Sequence, residues 1–241
     1  PGPTPTRKEK TMHHRKPRTP TTSHRAVRLG AAVTAGLAIT AVTTAARATT
    51  GHPGITSRVA IAVDTALSHA DRTHVNQSDT TFAIHEYGPT IAVTANNRAT
   101  AVSAGCTPDN PCRSVALSYQ IVTTAGHNAR LINATNLSRS VNEHCPACQT
   151  VSAAYQFIVA TPRQLTLSRQ ARNELNTINH QVNTLRTSHL PIDQITHRAD
   201  ELAHQIKTIL DREAAHAPHT SNTTDPLADF TPTVTMHRHI R

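Results

Sequence analysis

Tryptophan is absent from this chain, and phenylalanine and tyrosine supply only three residues each. Leu, Ile, Val and Phe together account for 46 of 241 residues, near the level below which a large packed core is not expected. These shortages exclude a large enzyme core and a polytopic membrane protein, and allow a small folded unit with long polar flanks. Catalytic signatures are missing as well. The sequence contains no G-x-S-x-G elbow, no P-loop and no dinucleotide glycine fingerprint. It also lacks H-E-x-x-H, the helix pattern that presents two histidines and a general base to zinc. No cofactor is implied, and the expectation is a protein that is not an enzyme.

Acidic residues are few before residue 49. Nine Lys and Arg lie in that segment against the single acid Glu9, so it carries most of the formal net charge of +9. The remaining residues hold 15 basic and 14 acidic side chains. A phosphate-neutralising surface needs clustered Lys and Arg. None exists after Ala48, so nucleic acid is not an expected partner.

The basic segment has a different meaning. Arg15 to Arg28 precede an uncharged, largely apolar run, Leu29 to Val42, and then Ala46-Arg47-Ala48. A positive region, a short apolar region and an A-x-A site are the three parts of a secretory signal peptide. Met12 is a natural start, and cleavage falls after Ala48. The alternative is an uncleaved anchor over residues 29–46, although a spanning helix wants about 20 apolar residues. Either way the body lies outside the cytoplasm, secreted or in the cell envelope, and meets the membrane only if the segment is retained. No Arg-Arg pair precedes the apolar run, so a twin-arginine route is not indicated.

What the chain does have is an internal repeat. Asn97, Val102, Cys106, Cys112, Val115, Tyr119 and Gln120 recur in order as Asn136, Val141, Cys145, Cys148, Val151, Tyr155 and Gln156. Two copies suit a duplicated supersecondary unit and not a solenoid, which needs three or more. After the second Cys of each copy, Val115, Leu117, Tyr119 and Ile121, then Val151, Ala153, Tyr155, Phe157 and Val159, alternate with small or polar residues. Period two with β-branched and aromatic residues predicts strands with one buried face. Residues 97–104 and 136–143 are extended in character, so each unit reads as strand, Cys loop, strand. Two more strands are expected at 80–87 and 90–95, split by Gly88-Pro89, with Asn96-Asn97 turning the chain into the first unit. The expected fold is α+β: an antiparallel sheet of about five or six strands containing a duplicated Cys-loop β-hairpin, followed by a C-terminal helical hairpin.

Four cysteines on an exported chain read first as two disulfides. Three connectivities are possible, and duplication favours the same local bridge twice, Cys106–Cys112 and Cys145–Cys148. Such small loops contribute about 2 kcal/mol each on the loop-entropy account. Two alternatives compete. The four thiolates would suit a tetrahedral zinc, for which C-x2-C fits and C-x5-C is loose. His144 beside Cys145 would lower a thiol pKa in a redox pair, but that motif opens a helix, and here a strand follows.

Cys145, Cys148, Thr150, Val151, Ala154 and Gln156 also carry a resemblance. Over roughly residues 91–161 the chain resembles a group of exported actinobacterial proteins. It is similar there to the extracytoplasmic Cys-x-x-Cys region of peptide zinc metalloproteases of those bacteria. The resemblance implies export but no proteolysis, since H-E-x-x-H is missing.

Beyond Pro162, Ala171, Leu175, Ile178, Val182 and Leu185 step by three and four, as do Ile192, Ile195, Ala199, Leu202, Ile206 and Ile209. That spacing is a narrow, coiled-coil-like seam on two helices, with Ser168 as the first N-cap and Pro191 opening the second. The seam is expected to be buried within the chain, with a homodimer through the helical hairpin as the alternative. A third helix is expected over 57–72. His197, Glu201 and His204 share one helix face and form a candidate surface metal clamp, though opposite the seam they are explained by solvation alone. The expected layout is a basic N-terminus and signal peptide (1–48), a short helix and linker (49–75), a β domain with two Cys-loop repeats (76–162), the helical hairpin (163–216) and a disordered tail (217–241). In function the sequence points to an exported, disulfide-stabilised, non-catalytic module with an unknown protein or envelope partner. The alternative is a metal-binding or thiol-redox protein.

Overall fold

A computed structural model of the chain describes residues 59–126, 132–218 and 230–241, together with Gly2. The signal-peptide segment therefore lies outside the described residues. Six strands follow one another: β1 (Val59–Ala70), β2 (Asn76–Pro89), β3 (Ala92–Ala104), β4 (Arg113–Ala125), β5 (Ile132–Glu143) and β6 (Gln149–Thr161). Odd strands form one sheet in the order β1-β3-β5, and even strands form a second in the order β2-β4-β6. Every neighbour among these six is parallel and in unbroken register, apart from a bulge near the end of β2. Each odd–even pair is thus one coil, and three coils stack into a short two-sheet parallel solenoid.

This overturns the expected antiparallel sheet of hairpins. The two strands of a Cys unit do not pair with each other. They lie in different sheets, and each pairs with its counterpart one coil away. The register matches the repeated residues one to one: Asn97 with Asn136, Val115 with Val151, Tyr119 with Tyr155, Gln120 with Gln156. A third, degenerate copy of the unit precedes the two. In the first coil Asp64 stands beside Asn97, Phe82 beside Tyr119 and Ala83 beside Gln120, with no cysteine. Nor do Asn96 and Asn97 make a turn; they lie inside β3.

Residues 59–70 form a strand instead of the expected helix. Ala60, Ala62, Ala66 and Ala70 alternate inward, buried, while Val59, Ile61, Val63 and Leu67 alternate outward and are 49–61% exposed. Alanine favours helices by propensity, but it is also small enough to sit between two closely packed sheets, and here packing decides.

Two layers of core result. Between the sheets lie Ala66, Ala99, Ala101, Ala116 and Ala154, with Ala62, Val93, Ala95, Val122 and Ile158 further along. The other face of the second sheet carries the larger side chains: Leu117, Tyr119, Ile121, Tyr155, Phe157 and Val159. Helices α1 (Arg169–Thr187) and α2 (Ile192–Ala215) cover that face and bury the expected seam against it. Both faces of β4 and β6 are therefore buried, not one.

Ser168 caps α1 as expected, accepting from the Ala171 amide at 3.1 Å. The Ser168 amide and hydroxyl donate in turn to Glu213 near the end of α2, which fixes the two helices as an antiparallel pair. Phe82, Tyr119 and Tyr155 stack across the three coils, with centroids 5.9 and 4.8 Å apart. The two phenols reach α2, Tyr119 donating to the Ala199 carbonyl and Tyr155 to the Asp200 carboxylate. Burial pushes both hydroxyls well above the usual tyrosine range, so they remain donors.

The tail is a strand as well. β7 (Thr233–Ile240) pairs antiparallel with β6 and closes the far edge of the second sheet. Residues 219–229 lie outside the described residues. Arg238 on β7 makes two hydrogen bonds of 2.6 Å to Asp200. Burial of Asp200 opposes ionisation, but the bonds from Arg238 and Tyr155 outweigh it and hold the carboxyl below its usual value.

Two predictions follow from this packing. Leu175 is fully buried and Leu137 is 49% exposed. Leu175→Ala is expected to cost about 2–5 kcal/mol in urea unfolding, and Leu137→Ala less than about 0.5 kcal/mol. For Asp200, a folded pKa below the unfolded one means a contribution present above the unfolded value and lost as pH falls through the folded one. Asp200→Asn should therefore lower the melting temperature at neutral pH and shrink the further loss on acidification below about pH 4.

Candidate functional site

At one end of the coils the chain passes from the first sheet to the second through three stacked corners. The first, residues 71–75, has no cysteine. The Asp71 carboxylate closes it, accepting from the Thr73 hydroxyl at 2.6 Å and from the Thr73 and His74 amides at 2.8 Å each. Those bonds, led by the Thr73 hydroxyl, hold Asp71 far below the usual carboxylate range.

The second and third corners are closed by sulfur. Cys106 is bridged to Cys112 and Cys145 to Cys148, with Cα separations of 5.8 and 5.4 Å, and no described cysteine is free. Between Cys106 and Cys112 the chain makes a tight turn in which Asn110 donates to the Thr107 carbonyl. The Cys148 amide donates to the Cys145 carbonyl across the two-residue loop. Both corners open with a left-handed residue at the same stacked position, Gly105 (φ 67°) and His144 (φ 48°), tied by the Gly105 amide donating to the Glu143 carbonyl. His144 thus serves the corner through its backbone. Asparagine, glycine and histidine are the residues that tolerate this region best.

Stacking makes one site of the two bridges. All four Sγ atoms lie within 4.8 Å of one another, and Cys106, Cys112 and Cys145 are buried. The Cys112 amide donates to Cys148 Sγ at 3.0 Å, across the coils. Cys112 Sγ lies 3.1 Å from the Asp71 carbonyl oxygen. Ala70, and Val75 beside it, pack against the sulfurs from the first coil.

Arg113, which sequence reasoning passed over, ties this corner to the helices. It donates to the Ser188 and Leu190 carbonyls in the connection between α1 and α2, at 2.6 and 2.8 Å. Its position after Cys112 gave no hint of that role.

The other candidate ligands do not gather. His197 Nδ1 comes within 3.4 Å of Glu201, which also pairs with Arg198; His197 and Arg198 are exposed and Glu201 is half-buried. Among the described residues the four cysteines are the only group of three or more ligand atoms close enough to share an ion. A second buried pair was not foreseen: His85 Nε2 lies 2.7 Å from Asp64, both nearly buried, and Gln120 donates to the same oxygen. The His85 ring stacks on Tyr87, and no described hydroxyl or thiol bonds to it. The pair closes the first coil.

No family model, no curated protein and no solved structure matches this chain.

The left-handed corner residues make a test. A Cβ on Gly105 would meet only Arg72 Nε at 3.9 Å, so space is not the obstacle and φ alone is. Gly105→Ala is expected to destabilise by about 1 kcal/mol and His144→Gly to be neutral or stabilising. Thermal unfolding of the two variants under oxidising conditions reads the difference.

Proposed function

We propose that this chain is an exported, non-catalytic module of the cell envelope or extracellular space, a disulfide-pinned solenoid that presents a surface to a protein or envelope partner. The observation that carries the reading is the pair of bridges at stacked corners, which belong in an oxidising compartment. The basic segment, apolar run and Ala46-Arg47-Ala48 before the fold agree with it. Among the described residues no helix is long and apolar enough to cross a membrane.

The binding role rests on an asymmetry. Helices cover the outer face of the second sheet, while no described element covers the outer face of the first. Val59, Ile61, Val63 and Leu67 line up along β1 and are each 49–61% exposed there, with Leu137 apart from them on β5, beyond Arg98. Parallel sheets are ordinarily covered on both faces, and contiguous exposed apolar side chains mark interaction sites. The helical seam that suggested a homodimer is already occupied by the second sheet. A dimer through the hairpin would have to use its polar outer faces.

Thiol trapping on fractionated cells that make the protein tests the reading. The expected result is a chain lacking residues 1–48, in the extracytoplasmic fraction, that gains about 4 Da on reduction as two bridges open. A full-length chain in the cytosol with four reduced thiols and the fold intact would overturn it.

A further inference from the structure

We infer that the four cysteines form one chemical unit: on reduction they become a tetrathiolate site for zinc or another soft divalent cation, linking the second coil to the third. The two bridges each act within a coil. Backbone hydrogen bonds already cross between the coils here, from the Cys112 amide to Cys148 Sγ and from the Gln149 amide to the Cys112 carbonyl, and a shared ion would add a bond from sulfur to sulfur through the metal.

Geometry carries the inference. A tetrahedral site with Zn–S near 2.3 Å places its sulfurs about 3.8 Å apart. The four Sγ atoms already lie within 4.8 Å of one another, on chains held in register on both sides of the corner. Opened bridges therefore need shifts of about an ångström, within reach of χ1 rotation. Cys145-Pro146-Ala147-Cys148 is a C-x2-C chelate whose turn is closed by the Cys148 amide. The longer loop between Cys106 and Cys112 brings its two Cα atoms to 5.8 Å. The sequence objection that C-x5-C is loose for zinc is met by the stack, which presets the separation that loop length alone leaves free.

Apolar burial and the Asp71 carbonyl beside Cys112 Sγ oppose the charged form of the sulfurs, and two neighbours and a bound cation would offset them. The Cys112 amide is aimed at Cys148 Sγ, and an N–H donor stabilises a thiolate. Arg72 reaches across the coils to the Gly105 carbonyl, one residue from Cys106, which sets a guanidinium beside a site that would carry two negative charges. Burial of three of the four sulfurs excludes competing water.

The chemistry balances. Each disulfide accepts two electrons and two protons from a dithiol or phosphine reductant and gives two thiols. Four thiols bind one divalent cation and release four protons. Two equivalents of hydrogen peroxide and four protons return the zinc-bound tetrathiolate to two disulfides, free cation and four waters. The same corner would thus hold a metal under reducing conditions and release it on oxidation.

Cobalt titration of the purified full chain, reduced anaerobically with a phosphine, is the test. The expected result is the intense visible ligand-field spectrum of a tetrahedral tetrathiolate centre, saturating at one Co2+ per chain and displaced by Zn2+. Peroxide should then expel the zinc and remove about 4 Da from the protein mass. Cys106→Ser and Cys148→Ser, one from each coil, should each weaken the site at least tenfold. Cys148→His, which abolishes a bridge but keeps a ligand, should still bind cobalt with an altered spectrum. A reduced chain with four titratable thiols that takes up no cobalt overturns the inference, whether it stays folded by circular dichroism or not. So does binding that the cysteine substitutions leave unchanged. The outcome is independent of the export reading, because it reads sulfur chemistry on purified protein; a chain found reduced in the cytosol would sink export and leave this site standing.

Discussion

A carboxamide shut between two sheets must find partners for its donors and its oxygen, because no water reaches it to make up the difference. That requirement sets the register of this protein. Asn97 donates to the Asn136 oxygen at 2.9 Å and to the Tyr155 carbonyl at 3.0 Å, while its own oxygen accepts from Ser118. Asn136 passes the pattern on to the Ala154 carbonyl. In the facing sheet Gln156 donates to the Gln120 oxygen at 2.8 Å, and Gln120 donates to Asp64. A slip of one residue would turn each of these amides to the opposite face of its sheet. Alanine and serine around them follow, since larger side chains would push the sheets beyond the reach of an amide. The low aliphatic content of the chain is thus compatible with a fully packed fold: its inner layer is thin, and one face of one sheet carries most of the large side chains.

Stacked parallel coils have ends, and unpaired strand edges invite association. Here each end is closed by the chain itself. On β1 the carbonyls of Ile61 and Thr65 accept from Tyr87 and Thr81, and the Leu67 amide donates to Asp79, all from β2 of the same coil. At the other end β7 pairs with β6; the His237 carbonyl and His239 ring take up Asn136 and Ser138 of β5, and the Arg241 carbonyl just beyond β7 takes up Ser140. The closure is not perfect. The Gln156 side-chain oxygen has no partner among the described residues, whereas the Gln120 oxygen one coil earlier has one. An amide in a further parallel coil would supply it, and antiparallel β7 does not. The orphan atom is the cost of stopping the glutamine ladder after two rungs, Gln120 and Gln156.

Much of this was legible in residues, and its failures have physical causes. Three-and-four spacing located both helices because only a helix brings Leu175, Ile178 and Val182 to one line, and Ser168 marked where the first begins. Two local bridges followed from the repeated cysteines. Period-two alternation located the strands of the last two coils but not their partners, since a strand in a hairpin and a strand in a coil alternate alike. The discriminating signal was the identity of the matched residues. Asn opposite Asn, Tyr opposite Tyr and Gln opposite Gln arise when copies stack parallel and in register; an antiparallel hairpin sets different positions face to face. In the first coil the strand expected at 80–87 lies within β2, but β1 hid because its alanines read equally as a helix, and the repeat hid because Asp64, Phe82 and Ala83 replace Asn, Tyr and Gln. Strand β7 hid behind Thr and His, although Val234, Met236 and Ile240 keep the alternation that sets them in the core between the second sheet and the helices.

The absence of cysteine from the first corner explains why the other two have it. All three corners must turn the chain between sheets, and an open corner is where a coil would fray. Corner one makes the turn in five residues, 71–75, and Asp71 satisfies its amides from within. Corner two must hold the longer segment from Gly105 to Cys112, and corner three departs through a non-glycine left-handed residue at His144. No described side chain accepts the amides of either corner as Asp71 does, although Asn142 donates to the Cys148 carbonyl, and a disulfide closes each. Because the coils stack, cysteines recruited separately by two corners necessarily meet. Their chemistry then ceases to be local, and whatever reduces, oxidises or binds one pair is felt by the other.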